Sequence, residues 1–187
     1  MSDLGTLYLD AVRATLGKYR ELAEGAMAQV DDDAFFAAPE GESNSIALIV
    51  KHLAGNMRSR WDRFLTSDGE KPDRDRDAEF ERGDGDRRAA LMTAWNDAWA
   101  LAFRELEGVT PADLTRTVTI RAEPHSVVHA IDRQVAHVTY HVGQIVFAAK
   151  QIAGARWTSL SIPRGQSRQF TAALQAEHAT HGSGDAR

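Results

Sequence analysis

The sequence predicts an all-α fold: a four-helix bundle followed by a short extra helix at the C-terminus. Two observations carry this. Apolar residues recur at steps of three and four through four long stretches, the spacing that places them on one face of a helix. The chain has 187 residues, 43% hydrophobic and 26% charged, which suffices to bury a core as one domain without disulfide staples.

In the first stretch Leu9, Val12, Leu16, Tyr19, Ala23, Ala26 and Val30 mark the inner face. The run DDDAFFAAPEGESNS interrupts it, and Asn44 or Ser45 offers an N-cap for the next helix. The second stretch carries Ile46, Ile49, Leu53, Met57, Trp61 and Phe64 and stops near Asp68 and Gly69, with Pro72 beyond. Residues 66–88 are highly charged and read as a solvated loop. A third stretch, from about Asp86 to Leu106, carries Leu91, Trp95, Ala98, Leu101 and Ala102. Residues 114–120 alternate polar and apolar, as a short extended segment does. The fourth stretch, Ser126 to Ile152, places Ile131, Val135, Val138, Val142, Ile145, Ala149 and Ile152 in 4-3-4-3 order and ends at Gly154. That is the seam of a helix lying nearly parallel to its neighbours. Past Trp157 a loop leads into the short fifth helix. One domain over residues 1–181 is expected, with 182–187 a flexible tail. Trp61, Trp95 and Trp99 fall at helical positions and read as packing groups.

Composition removes several chemistries. The formal net charge is -5 and no long Lys/Arg run occurs, so no nucleic-acid partner is expected. There is no cysteine, which excludes a thiolate zinc site, an iron–sulfur cluster and a Cys nucleophile. A metal would have to sit on His, Asp or Glu. The N-terminal segment is charged throughout and lacks a signal-peptide apolar core, and no run of about 18 apolar residues exists. No membrane span is expected, and the cytoplasm is the expected location.

Seven histidines form three close pairs plus His52: His125/His129, His137/His141 and His178/His181. Imidazoles at i and i+4 share a helix face and can grip one ion. His125 and His129 follow Pro124 at the helix start and project with Asp132 and Arg133, which reads as a solvent face; His178 and His181 lie in the polar tail. His137 and His141 fall in mid-helix on an uncharged stripe with Ala130, Gln134, Gln144 and Ala148, bordering the seam. Partly buried imidazoles without partners cost about 1–3 kcal/mol each. A metal satisfies them, and so do hydrogen bonds from neighbouring Gln or Tyr. In the second helix His52 lies beside its seam in the same sense, on a stripe with Ser45 and Asn56. Three protein ligands with an open position is the arrangement of a catalytic zinc site. Asp73-x-Asp75-x-Asp77 is a poor calcium loop, since Ala78 stands where Gly is needed. Arg164 in SIPRGQS can hold an anion or anchor its loop. No P-loop, GxGxxG or GxSxG motif occurs.

The segments NSIALIVKHLAGNMRSRW, AHVTYHVGQIVFAAK and SLSIPRGQS resemble the DinB-like superfamily of metal-dependent enzymes, closest to a branch of unknown function. The resemblance runs from the second helix to the start of the fifth. It implies an up-down-down-up bundle holding one metal on a His of the second helix and an HxxxH pair of the fourth. Here those are His52, His137 and His141, and His-Val-Gly-Gln at 141–144 also fits. Zn²⁺ or Ni²⁺ is the expected ion, since imidazole suits both, and a small-molecule substrate is expected. The resemblance further implies a low-molecular-weight thiol as the cofactor, in S-transferase, isomerase or hydrolase chemistry. Dimers are common among such proteins. Asn56 and Gln144 are the residues expected beside the metal ligands or substrate. The contrasting expectation is a non-catalytic, metal-stabilised stress or dimerisation protein.

Overall fold

The computed structural model describes residues 3–38 and 42–182, the last four by backbone alone. Residues 183–187 of the expected tail and the side chain of His181 lie outside the described residues. The chain divides into two compact units, Met1–Gly154 and Ala155–Arg187. Among the described residues it is mostly helical, with six α-helices and one two-stranded sheet.

Most helix starts are set by a short polar side chain that accepts an N–H of the first turn, satisfying one of the four unpaired donors there. Asp3 accepts from Thr6 to start α1 (Leu4–Met27), and Asp31 from Ala34 to start the short α2 (Asp32–Phe36). Ser45 accepts from Leu48 to start α3 (Ile46–Trp61), so of the two expected caps it is Ser45 that serves. α4 (Arg88–Glu107) begins without such a cap. Ser126 accepts from His129 to start α5 (Val127–Ala153), which ends where Gly154 takes φ 54°. α6 (Ser167–Gly182), in the second unit, is the expected fifth helix. Helix α2 was not anticipated, because five residues are too few to show a period. α1, α3, α4 and α5 are the four predicted stretches.

Cross-helix bonds fix the directions of these four. The Tyr8 hydroxyl, near the start of α1, meets the Val128 carbonyl (3.2 Å) and the Asp132 carboxylate (2.7 Å) near the start of α5, so α1 and α5 run the same way. Arg13 reaches the Leu106 carbonyl at the end of α4, and Arg88 at the start of α4 reaches the Met27 carbonyl at the end of α1; these two run oppositely. Lys51 near the start of α3 binds Asp86 just before α4 (3.0 Å), and the Phe64 N–H beyond α3 donates to Glu105 near the end of α4 (3.2 Å). α3 and α4 therefore run in the same direction, and the chain between them must travel back along α3. Leu9, Leu16, Ile46, Leu53, Met57, Trp61, Trp95, Trp99 and Ile131 are essentially inaccessible, so the three helical tryptophans do pack the core.

That returning segment, residues 62–87, corrects the expectation of a solvated loop. Its bonds to α3 climb back turn by turn: Ser59 donates to the Gly69 carbonyl, Arg58 pairs with Asp73, His52 meets Glu79, and Lys51 donates to the Glu81 carbonyl. Lys71 and Glu79 are buried, and a single 3-10 turn forms at Ala78–Phe80. Periodicity could not show this, because the anchors are isolated charged residues. Two of the three aspartates of the rejected calcium pattern serve the turn itself, and the third ties the segment to α3. Asp73 pairs with Arg58, the Asp75 carboxylate accepts from the Ala78 N–H, and the Asp77 carbonyl accepts from Phe80.

The all-α expectation also needs correcting. Of the expected extended segment 114–120 only Thr117–Ile120 is extended, Leu114 lying in the helical region; it forms an antiparallel hairpin, β1 (Thr117–Ile120) with β2 (Glu123–Ser126), in which Val118 faces His125. His125 is thus on a strand and only 4% exposed, not on the open face of a helix start. The turn residues Arg121 and Ala122 have φ of 57° and 62°, a conformation that side chains bearing a Cβ resist. The Asp68 carboxylate holds them there, accepting from the N–H groups of Arg121 (2.8 Å) and Ala122 (2.9 Å) as well as Glu70 (2.7 Å). Partial burial pushes the Asp68 carboxyl up, but these backbone donors and Thr119 outweigh it and hold its pKa well below the usual carboxylate range.

The second unit carries Trp157, half-buried, and Arg164, exposed. No helix among the described residues is long and apolar enough to cross a membrane.

Two outcomes follow for the hairpin. Ala122→Gly should stabilise by about 1 kcal/mol, the cost of holding a Cβ-bearing residue in the left-handed region. Asp68→Ala should destabilise by about 1–3 kcal/mol. The folded pKa of Asp68 is depressed, so its contribution is complete above the unfolded value of about 3.9 and is lost as pH falls through the folded value. Urea titrations at a series of pH values should show the two proteins converging only in acid.

Candidate metal centre

α3 and α5 bring His52, His137 and His141 together, as the sequence stripes require. One ring nitrogen of each lies within 4.8 Å of the others. His52 Nε2 and His137 Nε2 are 3.1 Å apart, and the His52 ring meets the His137 and His141 rings edge-on. Two imidazole nitrogens on one tetrahedral ion, each at about 2.0–2.1 Å, are separated by roughly 3.3 Å. His52 and His141 are buried and His137 half-buried.

The remaining nitrogens fix the tautomers. His52 Nδ1 lies 2.8 Å from Glu79 Oε2; a carboxylate only accepts, so the proton is on Nδ1 and Nε2 carries the lone pair. His141 Nδ1 lies 2.9 Å from Gln144 Oε1, which directs its Nε2 lone pair away in the same manner. His137 Nδ1 has no hydrogen-bond partner. Both arrangements match the way a metal-ligating imidazole is oriented by a group on its far nitrogen.

Burial, reinforced by neighbouring His141 and His52, pushes the His137 pKa down to about 3. Burial lowers that of His141 too, partly opposed by Gln144. These imidazoles are neutral at ordinary pH, the state in which they can ligate. Glu79 is pulled the other way from a normal buried acid. Burial raises its pKa, but hydrogen bonds from Arg74 and His52 outweigh this and hold the carboxyl below the usual range. Arg74 grips it with two bonds, Nε to Oε1 (2.8 Å) and a terminal nitrogen to Oε2 (2.9 Å). Gly55 on α3 permits the approach, since a Cβ there would collide with Glu79 Oε1 and stand 2.8 Å from its Cδ. Phe80 stacks on the His52 ring, with centroids 4.5 Å apart.

Of the two further residues singled out, Gln144 touches His141, while Asn56 is buried one turn beyond His52 with its Oδ1 unpartnered. Sequence reasoning missed Glu79, Arg74 and Phe80. They sit in a run of alternating Asp and Arg with no period, and only the apolar Phe80 beside Glu79 hinted at an anchored point. A cleft of about 580 Å³, lined by Ile49, Tyr140, Gln144 and Phe147 among others, opens beside Gln144. A slightly larger one of about 620 Å³ lies between α3 and α4, and neither cleft is lined by any of the three histidines.

Residues 3–166 match the family described as "Protein of unknown function (DUF1572)". The chain belongs to this family. The DUF1572 match takes in the three histidines, Gln144 and the Arg74–Glu79 pair, and it stops just before α6. No curated protein and no solved structure matches the chain.

Removing one partner of a buried ion pair strands the other charge and costs about 3–5 kcal/mol. Glu79→Ala should therefore destabilise by about that much, because Arg74 is only 4% exposed in its side chain. The double variant Arg74→Met, Glu79→Leu should recover most of the loss, read as the shift in urea midpoint.

Proposed function

We propose that this protein is a divalent-metal-dependent enzyme of DinB-like architecture, with Zn²⁺ or Ni²⁺ held by Nε2 of His52, His137 and His141. The observation that carries the reading is the 3.1 Å approach of His52 Nε2 to His137 Nε2, with Glu79 occupying the far nitrogen of His52. An imidazole-only donor set suits either ion. The four long helices form an up-down-down-up bundle on this reading. Its support is that α1 and α5 run one way while α3 and α4 run the other.

A metal bound there would lower the pKa of a thiol or water at its open position and so supply a nucleophile at neutral pH. The chain's own residues do the rest. Glu79 fixes the His52 tautomer and adds negative charge behind it; Gln144 orients His141. The cleft beside Gln144, walled by Tyr140 and Phe147, admits a small-molecule substrate of mixed polar and apolar surface. With no cysteine in the chain, thiol chemistry requires an external low-molecular-weight thiol. The reaction class is thiol-dependent S-transfer or a related isomerisation or hydrolysis.

Burial of His52 and His141, at 3% and 8% exposure, favours a second reading: a metal-stabilised, non-catalytic bundle. Chelation separates the two. A structural ion contributes folding energy outright, so stripping it lowers the melting temperature steeply. A catalytic one leaves a folded apo-protein.

Purified protein should carry one equivalent of metal by elemental analysis, and His137→Ala should carry none. A full equivalent retained by that variant would refute the assignment. Glu79→Gln should weaken binding by about 10–100-fold, as losses of such orienting carboxylates do elsewhere.

A further inference from the structure

The hairpin and α5 bring a second pair of imidazoles together, away from the first cluster. His125 lies on β2 opposite Val118 and is 4% exposed. His129 sits in the first turn of α5, where Ser126 Oγ accepts its N–H (3.2 Å), and it faces solvent. Strand and helix thus position the two rings independently, and their Nδ1 atoms stand 3.3 Å apart with the rings edge-to-face. That separation is the edge of a tetrahedron whose centre lies about 2.0–2.1 Å from each nitrogen.

The far side of His125 adds a second observation. Its Nε2 is buried and has no hydrogen-bond partner, and it lies 3.6 Å from Glu123 Oε2. Ligation through Nδ1 requires the proton on Nε2, where it would face that carboxylate. An imidazole with a metal on one nitrogen and a carboxylate behind the other is a recurrent arrangement.

We propose that His125 and His129 form a second metal site, a two-imidazole seat for a first-row divalent cation such as Zn²⁺, Ni²⁺ or Cu²⁺. Hard, oxygen-seeking Mg²⁺ and Ca²⁺ do not suit it. The exposed flank of His129 leaves the remaining coordination positions to water or an incoming ligand. Two protein ligands hold an ion less tightly than three, so this seat is the weaker of the two. It stands independently of the function proposed above.

The test is calorimetric titration of Zn²⁺ into the metal-stripped full chain at neutral pH. Wild type should show two classes of site, the second at least about tenfold weaker, as expected of two ligands against three. His129→Ala should keep the tight class and lose the weak one, and His137→Ala should do the reverse. His129 is exposed, so its replacement leaves the fold intact, which the buried His125 does not guarantee. Cu²⁺ bound to His137→Ala should also show nitrogen hyperfine structure that disappears in the His129→Ala, His137→Ala double variant. A single class in wild type that His129→Ala leaves intact would mean the rings share only an N–H···N bond and would overturn the proposal. So would a weak class that survives in His129→Ala.

Discussion

The Glu79 carboxylate, gripped from one side by Arg74 and touching the His52 imidazole on the other, is the interaction on which the histidine cluster depends. A carboxylate at that depth is tolerated only when fully hydrogen-bonded. Satisfying it ties residues 70–80 to the middle of α3 and explains Gly55, where any side chain would fill the space the carboxylate needs. It also decides which nitrogen of His52 is left bare. One buried charge thus links the path of a connecting segment to the tautomer of an imidazole 27 residues earlier in the chain.

The same economy recurs at Asp68, a few residues before. Its carboxylate organises the Glu70 backbone and the hairpin turn at Arg121 and Ala122, while Glu70 pairs with Arg60, Arg74 and Arg121. The hairpin, the returning segment and α3 are therefore joined through carboxylates as well as through the buried Val118 and Ile120 and the Gly69 N–H bond to the Thr119 carbonyl. Arg60 and Arg74 are well covered while Arg121 is exposed, and the Glu70 carboxylate holds these three guanidinium groups together.

What could be read in the sequence follows from this division. α1, α3, α4 and α5 are held by periodic apolar faces, so Leu9 to Met27, Ile46 to Trp61, Leu91 to Leu106 and Ile131 to Ala149 were legible as such. The three histidines were legible because they ride on those helices at a fixed offset from the seams. Glu79 and Arg74 were not, since their placement depends on where an aperiodic segment turns back. His125 was misread for a related reason: β1 and β2 are four residues each, too short for alternation to outweigh a helical reading that begins at Ser126. Gln144 was reached from its stripe, whereas the emptiness around Asn56 Oδ1 has no sequence signature.

The shared direction of α3 and α4 carries one more consequence. Antiparallel neighbours set opposite ends of their macrodipoles together, but two parallel helices place like partial charges side by side, each near half an elementary charge. At the C-terminal ends of this pair both are negative. The last turn of α3 holds Arg58 and Arg60, and that of α4 holds Arg104 beside Glu105 and Glu107. Glu105 is itself turned aside to accept the Phe64 N–H. Arg58 and Arg60 are also paired with Asp73 and Glu70, so the guanidinium groups at this end offset only part of an electrostatic penalty created by the helix order itself.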